Sequence, residues 1–156
     1  MAKLLNINYI DYSPATKSLD IFVAGCNQPA CKDCCNPELM DFSNGSEWHA
    51  WIDSIENYIH RFDALIENIF LLGGSFNHQN EEALKDIIPY LKSFVDKKVW
   101  LFAREDLKGV KPIFKKYCDY IKCGAFIPEK RCGDNLQYGV QLATENQFIY
   151  KRGKDY

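Results

Sequence analysis

Nothing in the sequence approaches the run of ~20 apolar residues that a membrane helix requires, so no membrane is expected among its partners. Charge of one sign is also scarce: 19 Lys and Arg stand against 21 Asp and Glu, a net charge of −2. A nucleic-acid reader presents a basic face or stripe. Here the basic residues are scattered, apart from a mild cluster at Lys108–Lys116 and the tail Lys151–Lys154, so direct nucleic-acid binding is not expected. Internal repeats, low-complexity tracts and linkers are lacking as well, which leaves residues 1–156 as one domain. Met1–Asp11 is polar and reads as a strand rather than a leader, so a cytoplasmic location is expected, where thiols stay reduced.

Cysteine, by contrast, is plentiful. There are seven, an odd number, which suits a complete disulfide framework poorly and makes metal ligation the first reading. Four fall in one segment, G25-C-N-Q-P-A-C-K-D-C-C-N-P-E-L39, with Cys26, Cys31 and Cys34 spaced C-x4-C-x2-C and Cys35 directly after. Short gaps let several soft thiolates converge on one centre, the arrangement that iron–sulfur clusters take. Three readings of the segment compete. One is a [4Fe–4S] cluster on Cys26, Cys31 and Cys34 with one iron open. Another is structural zinc, which needs four tetrahedral ligands and fits the adjacent Cys34 and Cys35 poorly. The last is reduced, unligated thiols. Cys118, Cys123 and Cys132 are dispersed. Cys118 reads as a small buried hydrophobe, whereas Cys123, at a strand end, is a candidate for a role.

Apolar patterning places the segment in a fold. Leu4–Ile10 reads as a strand. Leu19–Ala24 is a nearly continuous apolar run, as in a strand covered on both faces. After Ser46, the residues Trp48, Trp51, Ile52, Ile55, Tyr58, Ile59 and Phe62 form a helical stripe. Ile66–Leu72 is a strand closed by Gly73-Gly74. Asn80 caps a helix with Glu81 and Glu82 in its first turn; its inner stripe is Leu84, Ile87, Ile88, Leu91, Phe94 and Val95, with Pro89 expected to kink it. Val99–Ala103 is a strand, Leu107–Tyr117 a helix, Tyr120–Cys123 a short strand, and Gln137–Tyr150 one or two edge strands. Alternating strands and helices predict an α/β fold with a parallel sheet. Ligands bind such sheets at the carboxyl ends of the strands, where the cysteine segment and Gly73-Gly74 both fall.

These residues together resemble the radical S-adenosylmethionine (SAM) superfamily. The likeness lies in IFVAGC…C…CCNPELMDF and in LLGGS after the next strand, and it runs over roughly residues 19–150. Asn36-Pro37-Glu38, the Trp- and Leu-rich Val99–Phe102 and the Asn146-Gln147 pair are similar to the activating protein of anaerobic ribonucleoside-triphosphate reductase. The resemblance implies a partial (β/α) barrel of mainly parallel strands with outer helices, since 156 residues are too few for the ~250 of a closed eight-fold barrel. It implies a [4Fe–4S] cluster on Cys26, Cys31 and Cys34, whose open iron chelates S-adenosylmethionine, with Gly73, Gly74 and Ser75 along its methionine end. One electron from the cluster would split SAM to a 5′-deoxyadenosyl radical. Cys35 would lie beside the cluster without ligating it, and Arg104, closing a strand, is a candidate for a contact to a ligand carboxylate or for a solvent-exposed ion pair. The implied partners are a large glycyl-radical reductase subunit and reduced flavodoxin or ferredoxin as electron donor. Three departures stand out: the first cysteine gap is one residue longer than in the superfamily, Ser75 stands where the glycine motif has Glu, and Asp11–Ser18 lacks the glycine- and arginine-containing stretch of the family. They leave room for a radical enzyme acting on a peptide or small molecule, or for a non-catalytic single-cluster electron-transfer protein. The stripe from Trp48 to Phe62 reads as core, His49 and His60 as solvated, and His78, which follows the glycine motif, as a loop histidine in preference to one that approaches SAM.

Overall fold

The structure is a computed structural model that describes residues 5–26 and 41–156. It is mixed α/β. The elements follow in chain order as β1 (Asn6–Ser13), β2 (Ser18–Val23), β3 (Ser46–Glu47), α1 (Ile52–Arg61), β4 (Asn68–Gly73), α2 (Glu81–Lys92), β5 (Lys98–Phe102), α3 (Pro112–Tyr117), β6 (Tyr120–Cys123), β7 (Leu136–Gln137), β8 (Val140–Gln141) and β9 (Phe148–Lys151). Seven strands make one sheet in the order β3-β1-β2-β4-β5-β6-β9, and β7 and β8 form a separate hairpin. The central strands β2, β4, β5 and β6 are parallel, joined through α1, α2 and α3. They add in chain order without reversal, and all three helices pack on the same face.

The outer strands run the other way. β1 pairs antiparallel with β2, with Ser13 opposite Ser18. Only Pro14–Lys17 joins them, too short for the crossover that a parallel pair needs. Lys17 takes the left-handed turn conformation at φ 51°. β9 is antiparallel to β6, so the parallel sheet expected from the alternating pattern holds only for the middle.

The pleat sorts the side chains by face. Leu19, Ile21 and Val23 of β2, Ile69 and Leu71 of β4, Val99 and Leu101 of β5 and Ile121 of β6 meet Ile55 and Ile59 of α1, Leu84, Ile87, Ile88 and Leu91 of α2, and Phe114 of α3 in the main core. The opposite face carries Phe70, Trp100 and Ile149, roofed by Leu142 from the C-terminal segment. Both faces of β4 and β5 are thus covered, which explains their continuous apolar runs. Asn80 caps α2 as expected, its side chain accepting from the backbone N–H of Glu82 and Ala83. The stripe on α2 is shorter than expected. The helix continues through Pro89 but ends at Lys92, and the turn after it leaves Val95 91% exposed. Trp48 is buried, and Trp51 and Phe62 pack against the core. His49 and His60 are exposed, as expected, and His49 pairs with Glu47.

One core-facing charge predicts a pH dependence. Asp20, on the second face of β2, accepts a 2.5 Å hydrogen bond from the Ser18 hydroxyl. Burial holds its carboxyl up at about 6 against a usual 3.8; the Ser18 bond pulls down and Asp11 pushes further up. Between those two values the folded chain keeps a proton that the unfolded chain has released, so stability falls as pH rises through this window. Asp20→Asn should therefore stabilise the chain at pH 7 by about 1 kcal/mol, a value discounted for the group's partial exposure. Denaturant titrations at several pH values test this: the gain should vanish below the unfolded-state value, and a gain that persists there would refute the assignment.

Candidate functional site

The carboxyl ends of the parallel strands lie at one edge, and the chemistry-bearing residues collect there. β2 ends at Val23 opposite Gly73 of β4. Past those ends the two chains stay laced. Gly74 N–H donates to Val23 O at 2.8 Å, and Ser75 N–H donates to Gly25 O at 2.9 Å. Gln79, 2% exposed, adds its side-chain amide, which donates to the carbonyls of Ala24, Gly25 and Ser75 at 3.2, 3.2 and 2.8 Å. Gly73 has φ +109°, and a Cβ on it would lie 2.7 Å from Val23 N and 2.8 Å from Val23 O. Glycine is required there because only a bare Cα lets β4 come this close.

Cys26 follows directly, half-buried. The chain leaves the described region at Cys26 and is back beside the same point at Phe42: a Cβ on Gly25 would sit 2.1 Å from the Phe42 ring, and Asn6 Nδ2 donates to Phe42 O at 3.1 Å. Cys31, Cys34 and Cys35 lie outside the described residues, in a segment whose two ends are thus pinned side by side at the strand edge. Among the described residues no group of three or more His, Cys, Asp or Glu is poised around a metal. Cysteine thiolates are the donors of iron–sulfur clusters, and by residue type Cys26, Cys31 and Cys34 fit one.

From the other side of the edge comes a chain of polar contacts that the sequence reading left out. His78 Nδ1 lies 3.9 Å from Cys26 Sγ. The other ring nitrogen, Nε2, is 2.7 Å from Glu105 Oε2. Glu105 also accepts from Asn77 Nδ2 at 3.2 Å, and Arg104 Nε is 3.8 Å from the same carboxylate. Asn77, 4% exposed, is fixed in turn by Gly109 O and by the Lys111 backbone N–H. Arg104 thus belongs to the edge, where it stands beside a carboxylate of this chain. His78, read as a loop histidine, touches Cys26. Glu105, Asn77 and Gln79 went unnoticed, although the polar run Asn77-His78-Gln79 right after the glycine motif was a usable signal.

Ser75 is 5% exposed, and its hydroxyl has no hydrogen-bond partner among the described residues. The remaining cysteines sit elsewhere. Cys118 is fully buried, and burial pushes its thiol far up. Cys123 points into the main core, where burial holds its thiol up at about 12. It lies on the edge-bearing strand, and its side chain faces the helices. Cys132 is half-buried in the C-terminal segment.

The fold is that of a mixed α/β protein with Cys26 at the carboxyl edge of its parallel strands. Residues 17–136 match the family model of the 4Fe-4S single cluster domain. The chain belongs to that family and is an iron–sulfur, metal-binding protein. No curated protein and no solved structure matches it. No helix among the described residues is long and apolar enough to cross a membrane.

Proposed function

We propose that the chain is a radical S-adenosylmethionine enzyme that generates a glycyl radical on a large reductase subunit, with reduced flavodoxin or ferredoxin as electron donor. In this reading the sheet is a partial (β/α) barrel, which the unreversed strand order and single-sided helices support. The observation that carries the proposal is the lacing of Val23 and Gly25, the latter next to Cys26 in the chain, to Gly74 and Ser75 across the two strand ends. Cys26, Cys31 and Cys34 would hold the [4Fe–4S] cluster, and Cys35 would stand beside it. When bound, the cluster supplies the electron that breaks a carbon–sulfur bond of SAM.

The other work falls to the chain's own groups. Gly73 brings β4 close to β2, and Gly74, just past it, would let a ligand approach the backbone. The buried Ser75 hydroxyl offers an unused donor and acceptor. Arg104, from the end of β5, supplies a cation at the same edge. Leu72 and Phe102, the last apolar residues before the edge on the second face, would give a ligand an apolar shelf.

Ser75 also favours a second reading. A carboxylate at this position would make a charge-assisted bond to an ammonium group, about twice as strong as the neutral bond a hydroxyl makes. A chain without it fits a single-cluster electron-transfer protein that does not cleave SAM.

Paramagnetic resonance of the anaerobically reconstituted, reduced protein separates the readings. A [4Fe–4S] signal that changes with SAM, with 5′-deoxyadenosine released, supports the enzyme. A glycine-centred radical on an added reductase subunit would support the activase. A signal indifferent to SAM favours electron transfer, and zinc in place of iron sinks both.

A further inference from the structure

The contact between His78 and Cys26 joins the cysteine segment to a part of the chain that holds no cysteine near it. We propose that His78 is a positioning residue for the cluster with both ring nitrogens donating, Nε2–H to the Glu105 carboxylate, which holds the ring in place, and Nδ1–H to the Cys26 sulfur. The inference rests on the cluster at Cys26 and is independent of SAM.

Three observations carry it. The ring is gripped from both ends, by a sulfur at 3.9 Å and a carboxylate at 2.7 Å. It therefore cannot turn without giving up the shorter contact. The carboxylate is itself anchored by Asn77, which is buried and held by two backbone groups. The elements involved, the turns after β4 and β5, are packed against the edge that bears Cys26. A histidine whose far nitrogen meets a fixed carboxylate is the arrangement that sets ring orientation around metal centres. Direct ligation by the ring is the competing geometry. Each iron of a cubane cluster takes one protein ligand, and Cys26 already occupies its own. A nitrogen 3.9 Å from that sulfur thus lies beside the ligand rather than on a neighbouring iron.

The physical consequence is a tuned potential. A donor aimed at a ligating sulfur places positive charge against the cluster and stabilises its reduced, more negative form. Removing it should lower the potential.

The test compares the reconstituted full chain with His78→Phe, His78→Gln and Glu105→Gln, poised at one pH and one fixed potential, with cluster reduction read by paramagnetic resonance. The expected result for His78→Phe is a retained cluster whose reduced-to-oxidised ratio falls about tenfold, about 59 mV for one electron. His78→Gln, which keeps an N–H donor, should recover part of that shift. Glu105→Gln, which keeps the ring but loosens its anchor, should move the ratio in the same direction by less. If His78→Phe does not fold, the other two variants carry the same comparison. An unchanged potential in all variants overturns the proposal. Strong nitrogen hyperfine coupling on the wild-type cluster also overturns it, because it would make His78 a ligand. A wild-type chain that binds no iron overturns the cluster assignment along with it.

Discussion

Cys26→Ala should strip the protein of its cluster while leaving the apo fold standing. Cys26 lies beyond the end of β2, half-exposed and outside both hydrophobic clusters, so truncation removes few packing contacts. A surface change of this kind shifts stability by less than about 0.5 kcal/mol. The effect on metal is of another order. In the proposed reading Cys26 is one of three cluster ligands, and the two that remain would not close a site on their own. Iron and acid-labile sulfide per chain should fall to near zero after reconstitution, and the brown absorbance should be lost, with the circular dichroism of the apo chain unchanged. Cys118→Ala provides the contrast. That side chain is fully buried, so its loss should cost about 1 kcal/mol and leave the iron content intact. A full cluster in Cys26→Ala would remove the foundation of the site.

Gly73→Ala should be the most damaging single methyl group at this edge. At φ +109° an L-residue is strained wherever it stands, by about 1–3 kcal/mol. Here the added carbon would also meet the backbone of Val23 at 2.7 and 2.8 Å, and backbone in a paired strand cannot swing aside as a side chain can. Relief requires β4 to withdraw from β2 just where Gly74 and Ser75 bond to Val23 and Gly25. Strain and lost hydrogen bonds together should cost about 2–4 kcal/mol, and cluster occupancy should fall because Cys26 loses its neighbour. Gly139 is the control: its φ is +81°, but nothing lies within 4 Å of an added Cβ. Gly139→Ala should cost about 1 kcal/mol and spare the iron. Equal losses in chemical denaturation for the two variants would show that the close approach at Gly73 is unimportant.

Local signals carried much of the fold. The run from Leu19 to Ala24 became β2, shifted by one residue, and Tyr120–Cys123 became β6 with the expected bounds. Asn80 capped its helix because an Asn side chain satisfies free backbone donors wherever a helix starts. Where the pattern failed, a partner distant in the chain was responsible. The direction of β1 followed from a short turn, and that of β9 from its return along β6. Val95 kept its helical spacing, but the helix it belonged to had already ended. Cys123 was placed at the correct strand end, yet the pleat alone decided that its thiol faces the core.

The site divides the same way. Residue identity and spacing alone determined that four cysteines share one short segment beginning where a strand stops, and that glycines end the next strand. Both are properties of neighbours along the chain, so they can be read from it. Only the tertiary structure decided that Gly73 must be bare, that Gln79 stitches the two strand ends together, and that Cys26, His78 and Glu105 stand in one line. Those residues belong to three successive strand–turn units. Their meeting depends on the order and register of β2, β4 and β5, which hydrogen bonds between strands and packing against the helices select and which no local pattern encodes.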